Sequence, residues 1–201
     1  MKVSSVLFAI ALTGAATAAN AANLVTNGSF ESPVVSNWDN VSAPGWTTTN
    51  GAPGVELQTQ ATIGLTPADG NQYLEVNGNF PSTIVSDPIA LNGNGVFSFA
   101  YAARVSDTFD AVADNKLNVL WDGNLIATVS STVQAWTYYS FNVVGNGHDV
   151  ITFDSTPYSV AGSTFGNLVD NVSVVTPIPA ALFFVLPALA GVFGFSRRKT
   201  A

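Results

Sequence analysis

The chain has 201 residues, among them six Lys or Arg, thirteen Asp or Glu, one His and no Cys, for a formal net charge of −7. All thirteen acids lie from Glu31 to Asp170, where the only cations are Arg104 and Lys116. So acidic a body repels nucleic acid, whose phosphates must be neutralised by Lys and Arg, and without cysteine it has neither disulfide support nor a thiol nucleophile.

At the N-terminus Lys2 precedes an apolar stretch from Val6 to Ala16, and Ala19-Asn20-Ala21 supplies the small-x-small pattern of a signal-peptidase site. Residues 1–21 are therefore expected to be a signal peptide cleaved after Ala21. A permanent membrane helix is the competing reading, but the apolar part is short for a span. Residues 22–175 then form a body of one domain's length.

The body reads as strands. Val96-Phe97-Ser98-Phe99-Ala100-Tyr101 places Phe97, Phe99 and Tyr101 on one face, the period-2 pattern of a half-buried strand. Asn118 to Trp121 and Leu125 to Val129 flank Asp122-Gly123, a pair suited to the positive φ angles of a tight hairpin turn. Trp136 to Val144 and Val150 to Phe153 flank Gly145-Asn146-Gly147-His148 and predict a second hairpin, and Leu168 to Val175 is the last strand. No long helical periodicity interrupts them. The expected fold is all-β, a jelly-roll-like two-sheet sandwich in preference to an immunoglobulin topology.

Beyond the body come Thr176-Pro177-Ile178-Pro179-Ala180, an uncharged apolar run from Ala181 to Phe195, and the basic end Arg197-Arg198-Lys199. A helix from Ile178 to Phe195 would reach about 27 Å, marginally enough to span a bilayer with its basic end held in the cytoplasm. This tail resembles the PEP-CTERM family of bacterial sorting signals in its VPLPA variant, with Thr176 in place of Val and Ile178 in place of Leu. The resemblance rests on Pro177, Pro179, Ala180 and the basic Arg197, Arg198 and Lys199. It implies export across the inner membrane, at least transient anchoring there by the C-terminal transmembrane helix, and an exosortase-type membrane protease as partner. A cell-surface or extracellular location would follow.

A second resemblance covers nearly the whole body. Asn23-Leu24-Val25-Thr26-Asn27-Gly28-Ser29-Phe30-Glu31, the Gly45-Trp46 pair, Asp69-Gly70-Asn71-Gln72-Tyr73-Leu74 and Leu168-Val169-Asp170-Asn171-Val172-Ser173-Val174 are similar to landmarks of the galactose-binding-like jelly rolls, which include many carbohydrate-binding modules. In that superfamily a structural calcium often ties first and last strands together. The resemblance implies such a site at Glu31 and Asp170, helped by Asn27 and Asp69, because calcium takes six to eight oxygens. The alternative is that Glu31 and Asp170 only accept hydrogen bonds from nearby backbone N–H groups.

A polysaccharide would need exposed rings beside polar groups. Trp38, in Ser36-Asn37-Trp38-Asp39-Asn40, is the leading candidate platform, with Tyr73 and Tyr158; Trp46, Trp121 and Trp136 suit packing better. Enzyme chemistry has little support. The only histidine, His148, sits in an expected turn, no Gly-x-Ser-x-Gly elbow occurs, and Glu31, Glu56 and Glu75 show no apolar surroundings that would make one of them a glycosidase acid. Two functions stay open: a non-catalytic module binding extracellular polysaccharide, and a structural or adhesive matrix protein without a glycan site.

Overall fold

Alternation of apolar and polar side chains is what a strand needs to bury one face, and the computed structural model places twelve short elements accordingly. It describes residues 22–49, 54–78, 82–105, 115–156 and 166–177. The strands are β1 (Trp38–Val41), β2 (Trp46–Thr48), β3 (Val55–Thr59), β4 (Gln72–Glu75), β5 (Thr83–Ser86), β6 (Asn92–Ala103), β7 (Lys116–Trp121), β8 (Asn124–Ser130), β9 (Thr137–Asn146), β10 (Ile151–Asp154) and β11 (Asn167–Val175). One helical turn, α1 (Gln60–Ile63), follows β3; its N-cap Thr59 accepts from the Ala61 N–H, and Gly64 closes it.

These strands form two antiparallel sheets, six-stranded in the order β1-β3-β4-β11-β6-β9 and five-stranded in the order β2-β5-β10-β7-β8. The fold is an all-β, jelly-roll-like sandwich. Between the sheets lie Phe97, Phe99 and Tyr101 of β6, with Val119 of β7, Phe153 of β10 and Val169 of β11. Phe99 meets Phe153 edge-on at 5.4 Å between ring centroids, and Trp46 stacks against Phe153 at 6.0 Å. Such offset and edge contacts add to simple burial.

The Asp122-Gly123 hairpin forms as the sequence predicts, both residues at positive φ (48° and 77°) between β7 and β8. The second expected hairpin does not. Among the described residues β9 pairs with β6 alone, whereas β10 pairs with β5 and β7 in the other sheet. The intervening residues carry the chain across the sandwich. Asp149 Oδ2 accepts from the Asn146 and Gly147 N–H groups, and Gly147 N–H also reaches the Leu91 carbonyl at 2.7 Å. Turn residues mark a change of direction equally well whether the next strand returns to the same sheet or enters the other.

The opening segment folds along β11. Leu24 N–H donates to the Val174 carbonyl, Val172 N–H to the Gly28 carbonyl, and the Asn23 side chain bonds to both Val172 and Val174. Here β11 carries an irregularity between Asp170 and Ser173, with Asn171 at φ 50°. The backbone contact requires glycine at 28, since a Cβ there would lie 2.0 Å from the Val172 carbonyl oxygen. Gly28→Ala should therefore force backbone apart and destabilise the domain by about 1–3 kcal/mol, read as a lowered midpoint in thermal unfolding.

Candidate functional site

Of the four residues expected to hold calcium, Glu31, Asp69 and Asp170 meet around residues 68–72, where Glu31 and Asp170 accept chiefly from backbone N–H groups. Asp170, fully buried, accepts from Ala68 N–H at 2.8 Å and Asp69 N–H at 2.9 Å on Oδ2, and from Asn171 N–H at 2.6 Å on Oδ1. Glu31 Oε1 accepts from Asn71 and Gln72 N–H at 2.7 and 2.8 Å, and its Oε2 from the Asn71 side-chain amide. Asp69 accepts from the Ser29 hydroxyl at 2.6 Å, and Asn27 bonds through both side-chain atoms to the backbone of Ser32. Gly70, at φ 64°, lets the chain pass within 2.5 Å (Cβ position) of the Glu31 carboxyl.

Calcium needs six or more oxygens. Here amide N–H groups converge on the two principal carboxylates, and among the described residues no three His, Cys, Asp or Glu side chains form a chelating group. The hydrogen bonds present are those of the alternative reading, in which Glu31 and Asp170 accept from nearby backbone N–H groups. Burial pushes the Asp170 carboxyl up to about 7, opposed by the three N–H groups that favour its ionised form.

The outward face of the six-stranded sheet follows from register. Directly opposed residues share a face. Leu57 and Leu74 point into the core, so Gln58, Glu56, Tyr73 and Glu75 point outward. Trp38 lies opposite Gln58, and Asn40 opposite Glu56. Trp38 is 47% exposed. It is the one expected platform residue that presents a ring to solvent among the described residues.

Tyr73 does not serve as a platform. It is fully buried, with its hydroxyl 3.3 Å from the Thr59 carbonyl, and it meets Trp136 edge-on at 5.7 Å. The chain after α1 covers it: Ile63, Leu65 and Trp136 pack on Tyr73, Leu168 and Ala102, and the Trp136 indole donates to the Thr66 carbonyl at 2.7 Å. Trp46 and Trp121 are structural, their indoles donating to the Asn27 and Val144 carbonyls at 3.1 Å each. Tyr158 lies outside the described residues, as do the cleavage residues Ala19 and Ala21 and all of the sorting motif and basic end except Pro177. Among the described residues no helix is long and apolar enough to cross a membrane; the expected span at 181–195 lies outside them.

Sequence reasoning missed a polar cluster on this outward face. Glu56 and Glu75 are directly opposed across β3 and β4, both buried. The Gln58 side-chain amide bridges them, donating to Glu56 Oε1 at 2.8 Å and also to Glu75 Oε2. Arg104, 18% exposed, reaches Glu75 Oε2 at 2.6 Å. The carbonyl oxygen of Gln58 and the second oxygen of Glu75 are buried without a hydrogen-bond partner. Burial pushes the Glu75 carboxyl up to about 8, against the Arg104 guanidinium and with the Glu56 carboxylate. The expectation that no Glu has surroundings able to raise its pKa is thus corrected. Its signal was faint: three acidic or amide residues at Glu56, Gln58 and Glu75 in otherwise apolar strand context.

Neither a protein-family model nor a curated protein matches the sequence, its tail included. Similar solved structures include a family 61 carbohydrate-binding module in complex with β-1,4-galactotriose, at 16% identity over 78% of this chain and 99% of that one, TM-score 0.49. They also include a family 35 carbohydrate-binding module from Paenibacillus barcinonensis, at 15% identity over 70% of this chain and 99% of that one, TM-score 0.42. A third is the K1 cleaved adhesin domain of Lys-gingipain from Porphyromonas gingivalis W83, at 15% identity over 75% of this chain and 96% of that one, TM-score 0.42.

Asp170→Ala would leave three amides without their acceptor and should cost about 2–4 kcal/mol, whereas a calcium chelator should leave the wild-type unfolding midpoint where it was. Glu75 gives a pH signature. Its carboxyl is raised from 4.5 to about 8 on folding, so the native state holds the proton more tightly than the unfolded chain. The resulting stability is fully present below about 4.5 and is lost as pH rises through about 8. Denaturant titrations at a series of pH values should show this decline, and Glu75→Gln should remove its upper part, leaving the part that Asp170 contributes as pH rises through about 7.

Proposed function

We propose that this is an exported, non-catalytic protein of the cell surface or extracellular matrix that binds polysaccharide on the outward face of its six-stranded sheet. The observation that carries the reading is Trp38, a half-exposed indole on the edge strand β1 whose cross-strand neighbour is Gln58 and whose same-face companion Asn40 lies opposite Glu56. Sugar rings stack their C–H faces on such indoles while accessible polar side chains, here Asn40, hold the hydroxyls. The export arm of the proposal rests on the Ala19-Asn20-Ala21 site and the PEP-CTERM-like tail, with an exosortase-type protease as the sorting partner.

Catalysis is not part of this reading. Glu56 and Glu75 resemble a glycosidase pair only in being two close carboxyls of unlike environment. Both are buried, one amide holds both, and Arg104 occupies Glu75.

A structural or adhesive role is the second reading. It is favoured by the uncharged flank described below, which offers a surface for chain-to-chain contact.

The discriminating experiment is affinity electrophoresis of the full chain through gels containing soluble polysaccharides of differing backbone, with cosedimentation on insoluble ones. Retardation by at least one polysaccharide is expected, with about tenfold weaker binding in Trp38→Ala, a loss typical of an aromatic anchor. Binding that persists unchanged in Trp38→Ala would move the site elsewhere. Absence of binding across the panel would reject the glycan reading in favour of the adhesive one.

A further inference from the structure

The acidic character of this protein stops abruptly on one side. From Gly123 to Gly147 the sequence has no Asp, Glu, Lys or Arg. That stretch builds β8 and β9, the end strands of the two sheets, joined by residues 131–136. The two strands lie on the same flank: Ile126 and Ala127 of β8 and Tyr139 and Phe141 of β9 pack partly exposed against the same core, and β8 touches β6, the sheet neighbour of β9. Four of the six large hydrophobic side chains that are exposed among the described residues belong to this flank: Leu125 (59%), Val133 (59%), Tyr138 (64%) and Val144 (68%).

An edge strand is a template for another strand, and natural proteins usually blunt it with Lys, Pro or a bulge. β9 has none of these devices. It contains no charge and no Pro, and it pairs with β6 in unbroken register from Asn146 to Thr137. Among the described residues its far edge has no strand neighbour.

The sequence of β9 is also complementary to itself. Tyr138, Ser140, Asn142 and Val144 share the outward face of the sheet, opposite in register to the core-facing Tyr139, Phe141 and Val143. If two copies of β9 run antiparallel with Phe141 opposite Phe141, then Tyr138 of each copy lies opposite Val144 of the other, and Ser140 opposite Asn142. Both exposed hydrophobics of each strand are thereby covered and the polar pair meets its like. In a body that carries thirteen acids against two cations, an edge strand without charge lets identical copies approach with little local repulsion.

We propose that β9 pairs with β9 of a second copy of this chain about a two-fold axis at Phe141, joining two six-stranded sheets into one. Such an isologous interface is closed, so it makes dimers and not filaments. The ladder from Tyr138 to Val144 is about 24 Å long at 3.4 Å per residue. It ends where the Val144 carbonyl accepts the Trp121 indole N–H. Association strengthens as salt rises, because screening removes the repulsion between the acidic bodies.

The absence of cysteine makes the register testable in the full chain, held in detergent micelles that accommodate its apolar C-terminal run. Ser140→Cys and Asn142→Cys variants are mixed in equal amounts and oxidised. Directly opposed positions satisfy disulfide geometry and diagonal ones are too far apart, so the mixed disulfide should exceed either homodimeric one several-fold. Thr47→Cys, on the far side of the sandwich, should give background cross-linking only. Equal yields of mixed and homodimeric species, as association through the apolar tail would produce, overturn the proposal, as does background yield throughout. Sedimentation supplies a reading without cysteine: the wild type is expected to be dimeric and Tyr138→Lys monomeric, and equal association of the two overturns it.

Discussion

The carboxylate of Asp170 ties the last strand to a loop about a hundred residues earlier. It sits on the strand β11 at the centre of the larger sheet, and it takes the N–H groups of residues 68, 69 and 171. The stretch it captures, residues 68–72, is held from the other side by Glu31, and Glu31 belongs to the opening segment that runs along β11. First segment, middle loop and last strand therefore share one hydrogen-bonded junction. A buried carboxylate is costly unless donors surround it, and once surrounded it cannot be replaced without stranding those donors. That asymmetry is why a single side chain can set the position of so much backbone.

The junction also shapes the outward face of the sheet. By anchoring residues 68 and 69 it holds the preceding Ile63–Thr66 stretch where Leu65 and Ile63 pack on Tyr73 and Leu168, closed by Trp136. One part of the face is thereby made into a small second core. What is left toward β1 is a different environment, with an exposed indole at Trp38 and the Glu56–Gln58–Glu75–Arg104 cluster next to it. In this cluster one amide, that of Gln58, holds both carboxyls, and Arg104 pairs with one of them.

Charge sorts the rest of the surface. An acidic body without disulfides depends on its aromatic core for stability, and the ring contacts around Phe97, Phe99 and Phe153 supply that core. The same acidity leaves the uncharged flank of β8 and β9 as the place where close approach of another protein surface meets least repulsion. A sugar-binding face and a self-pairing edge would then belong to one six-stranded sheet, at its two opposite margins, β1 and β9.

Strand identity was legible in the sequence because period-2 alternation is a local property: Phe97, Phe99 and Tyr101 declare one buried face without reference to anything else, and Asp122-Gly123 declares a turn by its own backbone preferences. The opening Asn27-Gly28-Ser29-Phe30-Glu31 and the closing Asp170 could likewise be identified as a junction. Sheet membership was not legible. Gly145-Asn146-Gly147-His148 is a turn in either arrangement, and whether β10 returns beside β9 or crosses to the other sheet depends on pairing energies with β5, β6 and β7 that no local pattern encodes. The amides that Asp170 and Glu31 hold, and the burial of Tyr73 beneath Leu65 and Trp136, depend likewise on where distant backbone arrives. Glu75 is the sharpest case: its composition is that of any surface acid, and only the closing of the sheet around it, with Glu56 opposite and Arg104 alongside, raises its proton affinity, because desolvation is a property of the assembled structure and not of the residue.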